Sequence, residues 1–319
     1  MGLLVEGKWT DQWYETKSSG GRFVRKDSTF RDWVRADGST DYTPEAGRYH
    51  LYVSLACPWA HRTLLYRSLK KLESVISISV VEPLMAENGW TFGSSEGSLP
   101  DDVNDATFLH QVYTQADPTF TGRVTVPVLW DRKTSTIVNN ESSEIIRMLN
   151  SEFDALGDQS VDFYPEALRQ EIDELNDYIY PRINNGVYRC GFATTQDAYA
   201  EAFGELFAGL DTIDGSLATR RYLAGDVITE ADWRLFTTLV RFDPVYVGHF
   251  KCNQRRIADY PNLAGYLREI YQVPGVAGTV NMNHIKRHYY ESHGTINPTG
   301  VVPLGPELDL NQPHSRGSL

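Results

Sequence analysis

Residues 49–62 read YHLYVSLACPWAHR, and this segment restricts the possible folds more than any other stretch of the chain. The aromatic-rich run at 50–55 predicts a strand. Cys57-Pro58 ends it, and residues 58–72 carry the three- and four-residue apolar spacing of an amphipathic helix. Proline suits the first helical position, where an N–H would have no partner. A cysteine immediately before it stands where several unpaired backbone N–H groups and the positive end of the helix dipole converge. That setting favours thiolate over thiol, and the thiolate is the reactive species. Cys57 is therefore a candidate nucleophile rather than the small buried apolar residue that free cysteines often are.

A further strand over 74–82 would complete a βαβ unit with two parallel strands. Residues 86–118, rich in Gly, Asp and Ser around a short helical pattern at 108–115, read as an insertion. Residues 124–130, VTVPVLW, predict a strand containing Pro127, which belongs at a first residue, an edge or a bulge because it lacks a ladder donor. After a turn at 131–135 a returning strand is expected at 136–140, and Glu141-Ser142-Ser143 opens an amphipathic helix. A βαβ unit, an insertion, then ββα is the order of a thioredoxin-like domain.

From 165 onward the pattern turns helical, over 166–183, 196–217, 230–241, 263–271 and 276–288, with Leu168, Ile172, Leu175 and Ile179 showing the spacing. Thr229 and Asp232 have the separation of a capping box. The fold class is α/β plus all-α. The expected organisation is an irregular N-terminal arm over 1–45, a thioredoxin-like domain over 46–155, an all-helical domain over 165–295, and a C-terminal strap and tail over 296–319. Six aromatic residues (Trp9, Trp13, Tyr14, Phe23, Phe30 and Trp33) argue that the arm wraps the body rather than being disordered.

A net charge of -12 and the lack of any basic block argue against nucleic-acid or anionic-membrane partners. No apolar run approaches the length of a bilayer span, and the N-terminus lacks a secretory signal. Three cysteines, Cys57, Cys190 and Cys252, are too few and too scattered for a disulfide framework or a zinc site. A reducing, cytoplasmic location is expected, with no metal and no nucleotide cofactor.

CPWAHR at 57–62, NGW at 88–90, RVTVPVLWD at 123–131 and NNESSEIIRM at 139–148 resemble the glutathionyl-hydroquinone reductases, the Xi class of glutathione transferases. So do NNGVYRCGFA at 184–193, TTLVRFDPVYV at 237–247, FKC at 250–252 and HYYESHGTINPTG at 288–300. The blocks span nearly the whole chain in the family's order. The resemblance implies a thioredoxin-like domain followed by an all-helical glutathione-transferase domain, in a homodimer. It further implies reduction of a glutathionyl-hydroquinone by glutathione, a co-substrate, through a Cys57–glutathione mixed disulfide.

Glutathione would pair its backbone with Val126 in the Val124-Thr125-Val126 segment, beside a cis Val126–Pro127 bond. Its γ-glutamyl end would meet Glu141 and Ser142, and Trp90 and Arg123 match the family's other glutathione contacts. Tyr188 would move the aryl proton, with Tyr246 and Tyr289 near the thiol. His61, one helical turn beyond Cys57, reads as polar support, and Cys190 and Cys252 as structural. Position 60 is Ala60, so there is no C-x-x-C pair and the cycle is monothiol. Two alternatives stay open: an omega-like thioltransferase or dehydroascorbate reductase, and a non-catalytic glutathione-transferase-like assembly module.

Overall fold

A computed structural model describes residues 2–319. They form two compact units. One comprises the chain up to Trp13 with Asp27–Val161 and Gly278–Val302; the other comprises Tyr14–Lys26, Asp162–Ala277 and Pro303–Leu319.

In the first unit the arm, expected to be irregular, opens with a hairpin of β1 (Leu3–Val5) and β2 (Lys8–Thr10). Its closure depends on distant residues. Trp9 donates its indole N–H to Glu87 O at 2.8 Å and lies over Gly89, where an added Cβ would fall 2.7 Å from the ring. Strands β3 (Tyr49–Val53) and β4 (Ser77–Val80) run parallel, joined by α1 (Pro58–Leu69). The insertion carries α2 (Leu109–Ala116) and leads to β5 (Gly122–Arg123), which pairs with β1. Antiparallel β6 (Val128–Asp131) and β7 (Thr136–Asn139) follow, then α3 (Ser142–Ser151). The main sheet has the order β4-β3-β6-β7.

Strand β3 is central and buried on both faces. Its one ring with polar ring atoms, His50, is therefore held by Ser77 Oγ at 2.7 Å and Ser79 Oγ at 2.9 Å, and burial pulls its pKa down to about 4. Arg48, just before β3, grips Asp131 at the end of β6 through two 2.8 Å bonds, fixing the register of the site-bearing strands. The strand predicted over 124–130 starts only at Val128; residues 124–127 leave the ladder, as a donor-less Pro127 requires. The helix predicted to 72 stops at Leu69, because Lys71 takes φ +54° and the buried Lys70 ammonium is drawn to Asp154 and the Val161 carbonyl.

The second unit is helical. The single helix expected over 166–183 is broken into a short 3-10 turn, α4 (Arg169–Ile179) and a π-turn over Tyr180–Asn184, and a further short helix, α5 (Gly186–Gly191), follows. Pro181 cannot donate to the α ladder, and Asn184 turns inward to Arg234 O at 3.1 Å and Thr238 Oγ1 at 2.8 Å. Helices α6 (Gln196–Ser216), α7 (Glu230–Arg241) and α8 (Leu263–Tyr271) complete the unit. The expected cap of α7 is present: Asp232 accepts from Thr229 N at 2.8 Å, and also from Leu223 N and the Tyr266 hydroxyl. The last long helix, α9 (Met282–Ser292), starts later than predicted and belongs to the first unit, where His288 Nδ1 meets Pro83 O at 3.0 Å. Among the described residues, no helix is long and apolar enough to cross a membrane.

Candidate active site

Cys57 is the N-cap of α1. Its backbone is extended and its carbonyl accepts the first helical bond, from His61 N at 2.9 Å, with Pro58 at the next position. Cys57 is half-buried, and its sulfur lies 3.7 Å from the carbonyl oxygen of Val126. The Val126–Pro127 peptide is cis. His61 is buried and its Nε2 lies 2.7 Å from Thr279 Oγ1, consistent with polar support of α1.

The Val126 segment and the head of α3 are tied together by Tyr113, a fully buried residue on α2. Its hydroxyl donates to Thr125 O at 2.9 Å and accepts from Thr125 N at 3.2 Å and Asn140 Nδ2 at 3.1 Å. Burial pushes the phenol's pKa up and keeps it neutral, against the hydrogen bonds with Thr125 and Asn140, which pull the other way. Nothing in the sequence marks this tyrosine among 18.

Glu141 caps α3. Its Oε1 accepts from Ser143 N at 3.1 Å and Ser143 Oγ at 2.9 Å, and its Oε2 from Ser28 Oγ at 3.1 Å. Burial opposes its charge, but the Ser143 amide and hydroxyl, then Arg62 and Ser28, hold the carboxyl below the usual range. Ser142 is buried and its Oγ accepts from Arg62 Nη1 at 3.4 Å. Arg62, only 1% exposed, also lies 4.7 Å from the Trp59 ring. A buried guanidinium behind a helix N-terminus adds positive potential where N–H groups already favour an anion. Arg62 is a residue the sequence reasoning left out; its i, i+5 separation from Cys57 places the two on different faces of α1.

Trp90 is buried and stacks on His288, with ring centroids 4.8 Å apart. Val124 is buried too. Arg123 donates to the carbonyl of Gln12 and, at 3.0 Å, to that of Trp13, so its guanidinium fastens the arm to β5. In the first unit, Tyr289 on α9 packs edge-on against His288 and His293. In the second unit, Tyr188 on α5 and Tyr246 lie 6.1 Å apart in one aromatic cluster, with Phe250 stacked on Tyr246 at 5.4 Å. Arg25 sits 5.2 Å from the Tyr188 ring. Gly191 permits this packing, since a Cβ there would fall 2.1 Å from the Phe250 ring. Cys190 and Cys252 are buried in this unit, and burial, with the neighbouring Cys190 thiol as hydrogen-bond partner, pushes the Cys252 thiol well up. Among the described residues none of the cysteines forms a disulfide, and no group of three or more His, Cys, Asp or Glu side chains could hold a metal ion.

A cysteine at the N-terminus of the first helix of a thioredoxin-like unit, followed by a helical unit, defines a glutathione transferase architecture. Residues 56–152 match the glutathione S-transferase N-terminal domain family and residues 196–269 the glutathione S-transferase C-terminal domain family. The chain is 58% identical to the glutathionyl-hydroquinone reductase YqjG of Escherichia coli, covering 99% of this chain and 98% of that protein. It is 57% identical to the glutathionyl-hydroquinone reductase PcpF of Sphingobium chlorophenolicum, covering 97% and 98%. The glutathione-bound structure of YqjG superposes with a TM-score of 0.91, covering 99% of each chain, at 55% identity. A Xi-class transferase from Natrialba magadii does so at 0.94, with 52% identity, covering 100% of this chain and 97% of that one. The chain belongs to the glutathionyl-hydroquinone reductases, the Xi class of glutathione transferases.

Proposed function

We propose that this protein reduces glutathionyl-hydroquinones to hydroquinones at the expense of glutathione, with Cys57 as nucleophile. The observation that carries the assignment of roles is the placement of one thiol at the N-terminus of α1, 3.7 Å from the Val126 carbonyl. The thiolate attacks the thioether sulfur, the sulfur–aryl bond breaks, and its electron pair leaves with the ring carbon, which takes up a proton. A Cys57–glutathione disulfide remains. Free glutathione attacks it as thiolate, releasing glutathione disulfide and restoring Cys57. The sum is one glutathionyl-hydroquinone plus one glutathione giving hydroquinone plus glutathione disulfide.

Val126 supplies the backbone edge for the tripeptide, Glu141 takes the γ-glutamyl ammonium, and Ser142 with the head of α3 takes the neighbouring carboxylate. Trp90, Arg123, Val124 and Thr125 line or brace that site. Tyr188 supplies or relays the proton to carbon, while Tyr246 and Tyr289 stabilise the thiolate by hydrogen bonding. The protein acts as a homodimer in a reducing cytoplasm.

The test is mass spectrometry after exposure to a glutathionyl-hydroquinone without free thiol, alongside Cys57→Ser turnover. One glutathione on Cys57, and a folded but inactive variant that still binds glutathione, are expected. Turnover retained by Cys57→Ser removes the nucleophile from the scheme. Faster reaction with a small glutathione mixed disulfide than with the aryl thioether would move the assignment to a thioltransferase.

A further inference from the structure

We propose that Ser28, delivered by the N-terminal arm, is a positioning residue for glutathione: it fixes the Glu141 carboxylate and thereby sets a preference for γ-glutamyl ligands over ligands lacking that group. The proposal rests on Glu141 receiving the γ-glutamyl ammonium, as above.

The arm does not merely cover the sheet; it is zipped to it. Asp32 N donates to Val138 O at 3.0 Å, Arg31 bridges Asn139, and Asn140 N donates to Phe30 O at 3.1 Å. Asn140 Oδ1 in turn accepts from Phe30 N at 3.1 Å, and Asn139 Nδ2 donates to Asp32 O at 3.0 Å. Residues 30–32 thus extend the edge of β7 in a fixed register, and two residues further back Ser28 must lie over the start of α3. Arg31 adds an ion pair to Glu144 in the first turn of that helix. This pair is partly exposed and contributes modestly; the backbone bonds define the register.

Ser28 Oγ lies 3.1 Å from Glu141 Oε2 and 3.2 Å from Asn140 O. One hydroxyl carries one hydrogen, and the ionised carboxylate is the stronger acceptor. A carboxylate offers about four lone-pair positions. Ser143 takes two on Oε1 and Ser28 takes one on Oε2, which leaves the last position on Oε2 for a ligand. With both oxygens held, the terminal torsion of Glu141 cannot drift, and an arriving ammonium meets an acceptor already aimed. Preorganisation of this kind lowers the ordering cost of binding. Without the Ser28 hydroxyl, only Ser143 would constrain the carboxylate and Oε2 would swing free.

The experiment uses the full chain and two unreactive probes, S-methylglutathione and S-methyl-cysteinylglycine, which lacks the γ-glutamyl group. Each is titrated to saturation by calorimetry against the wild type, Ser28→Ala and Ser28→Thr. Ser28 is only half-buried, so the alanine variant opens no core cavity. Loss of one charge-assisted bond acting at one remove predicts about fivefold weaker S-methylglutathione for Ser28→Ala. Binding of S-methyl-cysteinylglycine is expected to stay unchanged, and Ser28→Thr to restore most of the loss. Equal weakening of both probes, or no weakening of S-methylglutathione, would overturn the proposal. Absence of any wild-type preference between the probes would also sink it, since Glu141 would then not read the γ-glutamyl group. If the preference holds but the wild type fails to reduce a glutathionyl-hydroquinone, the reaction assignment fails and the role of Ser28 stands.

Discussion

Replacing Glu141 by Gln keeps the side chain's shape and removes its charge, which separates two contributions of one residue. The first is to the fold. Glu141 caps α3 through the Ser143 amide at 3.1 Å and hydroxyl at 2.9 Å. Weakening an N-cap costs about 1 kcal/mol, and losing a negative charge at a helix N-terminus roughly a further 0.3–1 kcal/mol. Urea unfolding at neutral pH should therefore show a loss of about 1–2 kcal/mol. The second contribution is to the ligand. A hydrogen bond to a charged partner contributes about 1.5–3 kcal/mol, so S-methylglutathione should bind roughly 10- to 150-fold more weakly. The pH dependence supplies an internal check. The folded-state pKa of Glu141 is lowered, so its ionised form stabilises the protein at and above the ordinary glutamate range, and that stability is lost as pH falls through the lower folded value. The variant has no such group, so the stability gap between it and the wild type should close on acidification. A gap that persists undiminished at acid pH, or an affinity that falls less than about threefold, would refute this account of the cap and of the ligand charge.

Two further outcomes are expected. Tyr188→Phe should slow release of the hydroquinone as the Cys57–glutathione disulfide forms, in rapid-quench experiments, while leaving glutathione affinity intact, and an unchanged rate would reassign the proton donor. Iodoacetamide should label Cys57 alone in the folded protein and all three cysteines in urea, because Cys190 and Cys252 are buried and burial holds the Cys252 thiol well above its usual range; labelling of either at the rate of Cys57 in the native state would contradict this.

What could be read from the sequence was local. The Cys57-Pro58 junction, the Thr229–Asp232 cap and the helix opened at Glu141 each sit within one helical turn, where propensity and capping chemistry act between near neighbours. What could not be read depends on contacts between distant residues. The arm's pairing with β5 and β7 joins residues more than a hundred positions apart, and polar, Gly-rich sequence gives no period to betray it. Tyr113 binds Thr125 and Asn140 only because α2 is folded against both, and Arg62 reaches Ser142 only because α1 packs on α3. At Pro181 one local signal masks another: apolar spacing continues through it, yet the missing N–H forces a π-turn before α5.

In the proposed mechanism, Ala60 accounts for the need for a second glutathione. It stands at the third position of α1, one turn beyond the Cys57 cap, and is fully buried. A thiol there would face the Cys57–glutathione disulfide from inside the same turn, whereas Cys190 and Cys252 belong to the other compact unit. Ala60→Cys should therefore convert the monothiol cycle to a dithiol one. The introduced thiolate attacks Cys57 Sγ, the bond to glutathione sulfur breaks, and glutathione leaves as thiolate and takes up a proton, with an internal disulfide left between Cys57 and the introduced sulfur. Crowding one sulfur into a packed position should cost about 1–3 kcal/mol, which unfolding measurements can check separately. In a single turnover without free thiol, the wild type should stop with glutathione bound to Cys57, while the variant releases it and stalls until a dithiol reductant is added. Release of the bound glutathione by the wild type itself, with no thiol present, would show that the protein already holds a resolving group and that glutathione is not the obligatory second reactant.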